Sequence, residues 1–197
     1  DRPPRLVIVV NASHHVGAEA AQVVVVERKA ASPMIDLSLF LSRVFSFGSF
    51  AKYIAFIAVA GNTFMMPFYL QGAQGMGAGR AGLLLVPFAA NVAIGGIIGG
   101  RTADWIGPRI PSIVGMVLAC IGLIALSRLN QGSSLAYVGL ATGALGMGMG
   151  LFGPANSTSI MGVVERARYG LVTAFINLVR NLGQVTGTAV ATLVVTL

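Results

Sequence analysis

The amino-acid sequence predicts an all-α fold, a polytopic bundle of transmembrane helices, and three observations support that class. Of the 197 residues, 55% are hydrophobic and 10% are charged, whereas soluble domains carry about 25% charged residues. Mean hydropathy is +0.82, and uncharged runs long enough for the roughly 20 residues of a membrane span recur along the chain. Helices are expected because, in lipid, every backbone polar group must be paired within the protein.

Five spans follow from the uncharged runs, taken in order along the chain. Four runs carry no charged residue, and the last, from residue 169 to the end, contains only Arg180. The run 129–164 is too long for a single span, so its two ends are predicted to be loops. The predicted spans are residues 50–71, 80–100, 111–129, 135–156 and 170–192.

Residues 1–47 are predicted to be an N-terminal segment that precedes the bundle of residues 48–197. Five polar residues interrupt its valine-rich stretch 6–26: Asn11, His14, His15, Glu19 and Gln22. Three interpretations of that stretch remain open: a poor span, an amphipathic surface helix or a damaged remnant of an upstream span. Residues 32–47 are predicted to be a linker into a short amphipathic surface helix. Because the chain opens without Met or a signal peptide, we expect that it begins inside a longer protein or has been trimmed.

The charge distribution excludes several classes of function. The net charge is +7, but the basic residues are scattered between uncharged runs and form no basic patch, so nucleic acid is not an expected partner. Cys120 is the single cysteine, and the adjacent His14 and His15 have no carboxylate at ligand spacing, so no metal site is expected. No glycine loop followed by Lys-Ser/Thr is present. We therefore expect no enzyme and no cofactor.

The loops between the spans predict the orientation of the bundle. Placing the segment before residue 50 on the cytoplasmic side leaves two basic residues, Arg80 and Arg128, outside. Eight basic residues then lie inside: Arg28, Lys29, Arg43, Lys52, Arg101, Arg109, Arg166 and Arg168. This asymmetry follows the positive-inside rule. The lipid bilayer is thus the expected surroundings, and the first clear span is predicted to start in the cytoplasm.

A polar loop between the second and third spans is the first candidate site. Gly100 is expected to end a helix. Asp104 is expected to accept a hydrogen bond from the N-terminus of the following helix or to form an ion pair with a nearby arginine. Gly107 would permit a tight turn, and Arg109 would anchor the loop at the inner face. These four residues predict a conformational latch that holds one state of the bundle; an ordinary polar turn is the alternative.

Polar residues within the spans are candidates for a substrate pathway. The candidates are Asn62, Tyr69, Asn91, Asn156, Asn177 and Arg180. Each amide could instead bond a neighbouring helix. Arg180 lies about ten residues into its span, where a charge is costly and faces a partner or water unless it snorkels to the interface. No carboxylate lies within a predicted span, so a proton-carrying carboxylate must come from elsewhere.

Four pairs of glycines spaced four residues apart predict close helix contacts. Residues four apart share one face of a helix, and small residues let backbones approach in lipid. The pairs are Gly95 with Gly99, Gly96 with Gly100, Gly146 with Gly150, and Gly183 with Gly187.

Residues 100–109, Gly-Arg-Thr-Ala-Asp-Trp-Ile-Gly-Pro-Arg, resemble the Gly-x-x-x-Asp-(Arg/Lys)-x-Gly-x-(Arg/Lys) loop of the major facilitator superfamily. Trp105 stands where that loop usually has a basic residue. Further stretches resemble, in order, helices in the C-terminal half of fourteen-span drug–proton antiporters. They are residues 64–71, 81–88, 146–156, 170–177 and 180–183, and the likeness covers about residues 24–197.

The resemblance implies part of a secondary active transporter in the bacterial plasma membrane that exports drugs or amphipathic compounds. Its expected partners are a small amphipathic substrate, protons and the N-terminal half of the carrier. That half would bring the antiporter-signature helix and the acidic residues that couple transport to protons. A truncated, inert half-carrier, or a structural partner of another membrane chain, is the alternative.

Overall fold

The computed structural model describes residues 37–196, which are almost entirely helical. A short 3-10 helix, Leu37–Leu41, precedes the first long helix. The long helices are α1 (Arg43–Phe68, which continues as a π-helical turn, Tyr69–Ala73), α2 (Ala78–Ile106), α3 (Arg109–Ser127), α4 (Leu135–Met161) and α5 (Tyr169–Thr196, preceded by the 3-10 turn Arg166–Arg168). The three interpretations of residues 6–26 concern a stretch outside the described residues.

All five long helices are long and apolar enough to cross a membrane, which confirms the predicted fold class. The most apolar stretches of the helices have mean hydropathies from 1.2 in α5 to 2.3 in α3. Each predicted span lies largely within one helix, in the predicted order. The described part of the chain is therefore an all-α polytopic bundle.

Two predicted boundaries are wrong, and both errors come from treating charge as the end of a helix. The helix α1 begins at Arg43, so the expected separate surface helix up to Phe47 is partly the first turn of α1. Gly100 was expected to end a helix, but α2 continues to Ile106. Polar side chains near a membrane surface can reach water while their backbone stays helical, so helices extend beyond the uncharged runs.

The helix α4 packs parallel to α2 along a seam of glycines. Gly95 of α2 lies against Met147 of α4, and Gly99 lies against Leu151. A methyl group at Gly95 would lie 2.7 Å from the carbonyl oxygen of Met147, and one at Gly150 would lie 2.5 Å from that of Val92. Such contacts leave no room for a side chain, so these two predicted glycine pairs do form a close helix contact.

A second seam joins α4 to α3, which runs antiparallel to it. Gly115 lies beside Phe152, and Gly122 lies beside Leu145. A methyl group at Gly122 would lie 2.6 Å from the backbone nitrogen of Leu145, and Gly148 of α4 contacts α3 equally closely. With α2 on one side and α3 on the other, α4 is the most buried helix of the described bundle.

The helices α1 and α5 form the third close pair, again with small residues at the contact. Gly183 lies against the backbone of Tyr53, and Gly187 lies against Ile57. A methyl group at Gly183 would lie 2.7 Å from the carbonyl oxygen of Tyr53. Because both indices rise together, α1 and α5 are parallel. The predicted Gly183 and Gly187 contact is therefore present.

The predicted contact at Gly96 and Gly100 is absent from the described bundle. No described atom outside the local helix lies within 4 Å of where their side chains would begin. Both residues are half-buried, and the backbone nitrogen of Gly96 would lie 2.8 Å from a methyl group at Gly150 of α4, but their own side-chain positions face open space. Spacing alone could not distinguish the face of Gly96 and Gly100 from the adjoining one that carries Gly95 and Gly99.

The alternating helix directions place most of the described basic residues at one end of the bundle, which we call the basic end. The N-termini of α1, α3 and α5 and the C-termini of α2 and α4 meet there. Arg43, Arg101, Arg109 and Arg166 belong to these termini, whereas Arg80 belongs to the opposite end. The cytoplasmic location of the basic end remains a prediction of the positive-inside rule.

An aromatic cluster closes the basic end between α1 and α5. Phe45 is only 1% exposed and stacks on Phe175 with 5.3 Å between ring centroids. Phe40 packs edge-on against both rings, and Ile160 of α4 is buried in the same cluster. The cluster thus joins three helices around one phenyl ring.

Candidate functional site

A buried lysine inside α1 is the most unusual charged residue of the described bundle. Lys52 is the tenth residue of α1, about 14 Å along the helix from its start at 1.5 Å per residue. Its side chain is 5% exposed. The Lys52 ammonium donates a hydrogen bond to Ser157 Oγ of α4 at 2.7 Å, and Ser157 in turn donates to the carbonyl oxygen of Gly153 at 2.9 Å. An ammonium has three donors, so this bond leaves capacity for a further acceptor.

Arg180 of α5 borders the same cavity as Lys52. The cavity has a volume of about 330 Å³ and lies where α1, α4 and α5 meet. Arg180 is the twelfth residue of α5, about 17 Å along that helix, and its charge acts electrostatically on Lys52. We call this the basic cavity. Its wall includes Lys52, Phe56, Ser157, Ile176, Asn177 and Arg180.

No carboxylate borders the basic cavity among the described residues. The two described acidic residues are Asp104 in the last turn of α2 and Glu165 just before the 3-10 turn that precedes α5. Neither belongs to the cavity wall. An uncompensated cation within a membrane helix costs about 2.5–3.5 kcal/mol on insertion scales. The two cations therefore require water or an anion from outside the described residues.

The basic cavity unites two of the sequence-predicted pathway residues, Asn177 and Arg180. Lys52 was predicted only as a charge on the cytoplasmic side, and the structure adds that its side chain is buried within the bundle. The signal was present in the sequence: Lys52 is flanked by the uncharged runs 44–51 and 53–79. A single charge between two such runs is the pattern that indicated Arg180.

Two other predicted pathway residues have partners within the described bundle. Asn156 is 5% exposed, and its amide donates to the carbonyl oxygen of Gly48 at 3.1 Å, which ties α4 to α1. The Asn91 amide donates to the carbonyl oxygen of Pro87, four residues back in α2, at 2.8 Å. Asn91 also borders a groove of about 700 Å³ beside α4. Neither residue belongs to the wall of the basic cavity.

The remaining two predicted pathway residues lie toward the opposite end of α1. The Tyr69 hydroxyl donates to the carbonyl oxygen of Asn130 at 2.7 Å and accepts from the amide of Gln74 at 2.9 Å. These bonds join the π-helical turn to the loop between α3 and α4. Asn62 is half-buried in α1. These two residues are also outside the wall of the basic cavity.

The predicted latch loop joins α2 to α3 at the basic end. Gly107 has a φ of 84°, a left-handed conformation that glycine adopts at little cost, as the predicted tight turn requires. Asp104 is exposed in the last turn of α2, and Arg109 is the exposed first residue of α3. Within the part of the chain that the structure describes, Asp104 has neither a hydrogen bond nor an ion pair. Its carboxylate is therefore available to a partner from outside that part.

Comparisons with known proteins agree with this architecture. A family model described as Major Facilitator Superfamily matches residues 6–188. Multidrug resistance protein Stp of Mycobacterium tuberculosis is 31% identical over 165 residues, which cover 83% of this chain and 30% of Stp. Multidrug transporter protein MdtP of Bacillus subtilis is 28% identical over 160 residues, which cover 81% of this chain and 30% of MdtP.

A third relative has the same pattern of coverage. Lincomycin resistance protein LmrB of Listeria innocua is 28% identical over 159 residues, which cover 81% of this chain and 34% of LmrB. The chain thus spans about a third of the length of the curated relatives it matches. Two thirds of each relative has no counterpart in the aligned residues.

Proposed function

Because the chain belongs to the Major Facilitator Superfamily, we propose that it forms part of a secondary active transporter that exports drugs or amphipathic compounds. Five helices able to cross a membrane and relatives in bacteria make it a multi-pass protein of the plasma membrane. The superfamily is one of transporters rather than enzymes. The substrate and its coupling to protons belong to the proposal.

The observation that carries the proposal is the basic cavity at the junction of α1, α4 and α5. Transporters hold their substrates near the middle of the bilayer, where repeated parts of the carrier meet. Lys52 and Arg180 lie about 14 and 17 Å from the starts of their helices, and both helices are long and apolar enough to cross a membrane. A polar cavity between such helices supports a substrate pathway. The names of Stp and MdtP, which both refer to multiple drugs, support drugs as the cargo.

Proton coupling is the finer part of the proposal. A carboxylate within the membrane is the usual proton carrier in such pumps, and the only carboxylate in the described long helices is Asp104, which is exposed in the last turn of α2. We therefore place the coupling carboxylate in a part of the carrier that this chain does not contain. On this proposal, the chain supplies one wall of the substrate pathway and the remainder of the carrier supplies the proton site.

Dye accumulation in cells tests the proposal. Cells that express the longer protein containing this chain are expected to accumulate several-fold less of a membrane-permeant fluorescent drug than cells with an empty vector. An uncoupler that collapses the proton gradient is expected to abolish the difference. Equal accumulation in the two strains would contradict drug export. A difference that survives the uncoupler would contradict proton coupling alone.

The latch at residues 100–109 leads to a second prediction. Asp104 is exposed and has no described partner, so we propose that it bonds the remainder of the carrier in one state of the transport cycle. Asp104→Asn removes the charge and is expected to slow export by about tenfold, since a hydrogen bond to a charged group contributes about 1.5–3 kcal/mol. Initial export rates at equal protein levels measure this change.

Glu165→Gln is the matched control for Asp104→Asn. Glu165 is also an exposed carboxylate near the basic end, between α4 and α5, so its loss changes the net charge by the same amount. We expect export by that variant to stay within twofold of the wild type. Equal export by both variants would identify the loop as an ordinary polar turn.

A half-carrier is the alternative to an intact transporter. A chain that spans about a third of the length of Stp or LmrB can be a half-carrier without transport of its own, or a structural partner of another membrane chain. An immunoblot against the loop around Asp104 measures the mass of the native polypeptide. A band near 20.3 kDa would support the alternative, and co-purification would then identify any partner chain. A band of roughly twice that mass or more would support the intact carrier.

A further inference from the structure

Resting on the proposed function, we propose that the basic cavity binds an anionic group, so that the substrates of the carrier include amphipathic compounds with a carboxylate or a phosphate. The described residues supply two cations and no acidic side chain at this cavity. The chemistry of the wall therefore selects the charge of its occupant.

The first argument concerns charge. Lys52 and Arg180 border one cavity of about 330 Å³, where Lys52 is buried and Arg180 is exposed. Two like charges at one cavity repel each other. An anion between them reverses the sign of both interactions. A cationic drug in the same place would add a third positive charge and would bind less favourably.

The second argument concerns hydrogen-bond donors. Lys52 uses one donor on Ser157 and has two more, while a guanidinium has five donors in a fork that matches a carboxylate or a phosphate. The amide of Asn177 on the same wall can also donate. The cavity thus concentrates donors suited to an anion.

The third argument concerns the rest of the wall. Phe56 and Ile176 line the cavity beside the charged groups and offer an apolar surface to the body of a ligand. A volume of about 330 Å³ lies at the lower end of the range of small-molecule sites. A cavity with cations and an adjoining apolar wall matches an amphipathic anion, with its charged head between the cations and its apolar part against the side chains.

A pair of xanthene dyes with opposite charges provides the test. The purified full chain is placed in nanodiscs of phosphatidylcholine, which has no net charge, and fluorescence anisotropy follows the binding of fluorescein, an anion, and rhodamine 6G, a cation. We expect saturable binding of fluorescein and at least tenfold weaker binding of rhodamine 6G. Preferential binding of rhodamine 6G, or no saturable binding of fluorescein, would overturn the proposal.

Four variants test whether the dye binds at the cavity. Lys52→Gln and Arg180→Gln are each expected to weaken fluorescein binding by at least tenfold, whereas Arg180→Lys, which keeps the charge, is expected to retain most of it. Arg128→Gln removes an exposed charge after the end of α3 and is expected to leave binding unchanged. Circular dichroism confirms that each variant remains helical. Equal binding by all variants would place the dye elsewhere and overturn the proposal.

Two further arms identify the source of the anion. If nanodiscs with one third phosphatidylglycerol, compared in high salt that screens their surface charge, weaken fluorescein binding to the wild type by tenfold or more, the occupant is a lipid phosphate and the assignment to substrate is wrong; unchanged binding supports the assignment. If the intact carrier fails to bind fluorescein, a carboxylate from outside this chain fills the cavity. That result also overturns the proposal. Binding needs no transport, so failure of the dye-export test would leave this result standing.

Discussion

Gly95→Val is expected to destabilise the bundle by about 3 kcal/mol, the upper range for overpacking in a close-packed interior. A Cβ atom at this position would lie 2.7 Å from the carbonyl oxygen of Met147 and 3.1 Å from the Cα atom of Gly150. Both atoms belong to the backbone of α4, so no side-chain rotation can relieve the clash. The helices must separate, and the contacts along the α2–α4 seam are lost with them.

The neighbouring glycine provides a matched control for that prediction. Gly96 has no described atom outside the local helix within 4 Å of a methyl group at its position, and valine has the same intrinsic helix propensity at both sites. Gly96→Val is therefore expected to lie within about 1 kcal/mol of the wild type, since valine meets no neighbour there and has a slightly better helix propensity than glycine. Unfolding of the full chain in mixed micelles, followed by circular dichroism, measures both changes. Equal midpoints for the two variants would show that the seam does not require glycine.

The second large effect is expected at the aromatic cluster. Phe45→Ala removes a ring that is 1% exposed and that contacts Phe40 and Phe175 with centroid distances of 5.2 and 5.3 Å. Truncation of a buried phenylalanine leaves a cavity and costs about 3–5 kcal/mol. Because Phe45 joins α1 to α4 and α5, its loss is expected to loosen the basic end first.

Phe47 is the control for the aromatic cluster. It lies two residues further along α1 and is 70% exposed, so its truncation is expected to change the free energy of unfolding by less than about 0.5 kcal/mol. The same unfolding measurement applies, and faster hydrogen exchange at the start of α1 in Phe45→Ala would locate the damage. A loss of stability in Phe47→Ala as large as that in Phe45→Ala would mean that the cluster adds no specific packing.

The spans could be predicted from the sequence because lipid imposes a strong constraint on charge. Uncharged runs revealed five helices in their order, but not their ends. The helix α1 starts at Arg43 and α2 ends at Ile106 because a helix continues through the interface, where charged side chains reach water. The burial of Lys52 was not predicted, because this lysine, although inside the predicted span 50–71, was counted only among the cytoplasmic charges.

Helix faces were harder to predict than helices. Spacing identified that Gly95 and Gly99 share a face, and equally that Gly96 and Gly100 do, but only at the first pair would a side chain collide with α4. The α3–α4 seam went unnoticed because Gly115 and Gly122 are seven residues apart rather than four. The pairing of Asn156 with Gly48 joins residues 108 positions apart. Such long-range contacts depend on how the helices are arranged, which a single sequence does not specify.

The pairing of α1 with α5 has a consequence for how the chain is made. The helices α2, α3 and α4 contact one another and are synthesised close together in time. In contrast, α1 packs on α5, and residues 74–168 lie between these two helices in the sequence. At roughly 5–20 residues per second, α1 enters the membrane roughly 5–20 s before its partner exists. During that interval Lys52 lies in a helix whose companion is still unmade. Until α5 emerges from the ribosome, only α4 among the described helices, through Ser157 and Asn156, offers α1 the polar contacts of the finished bundle.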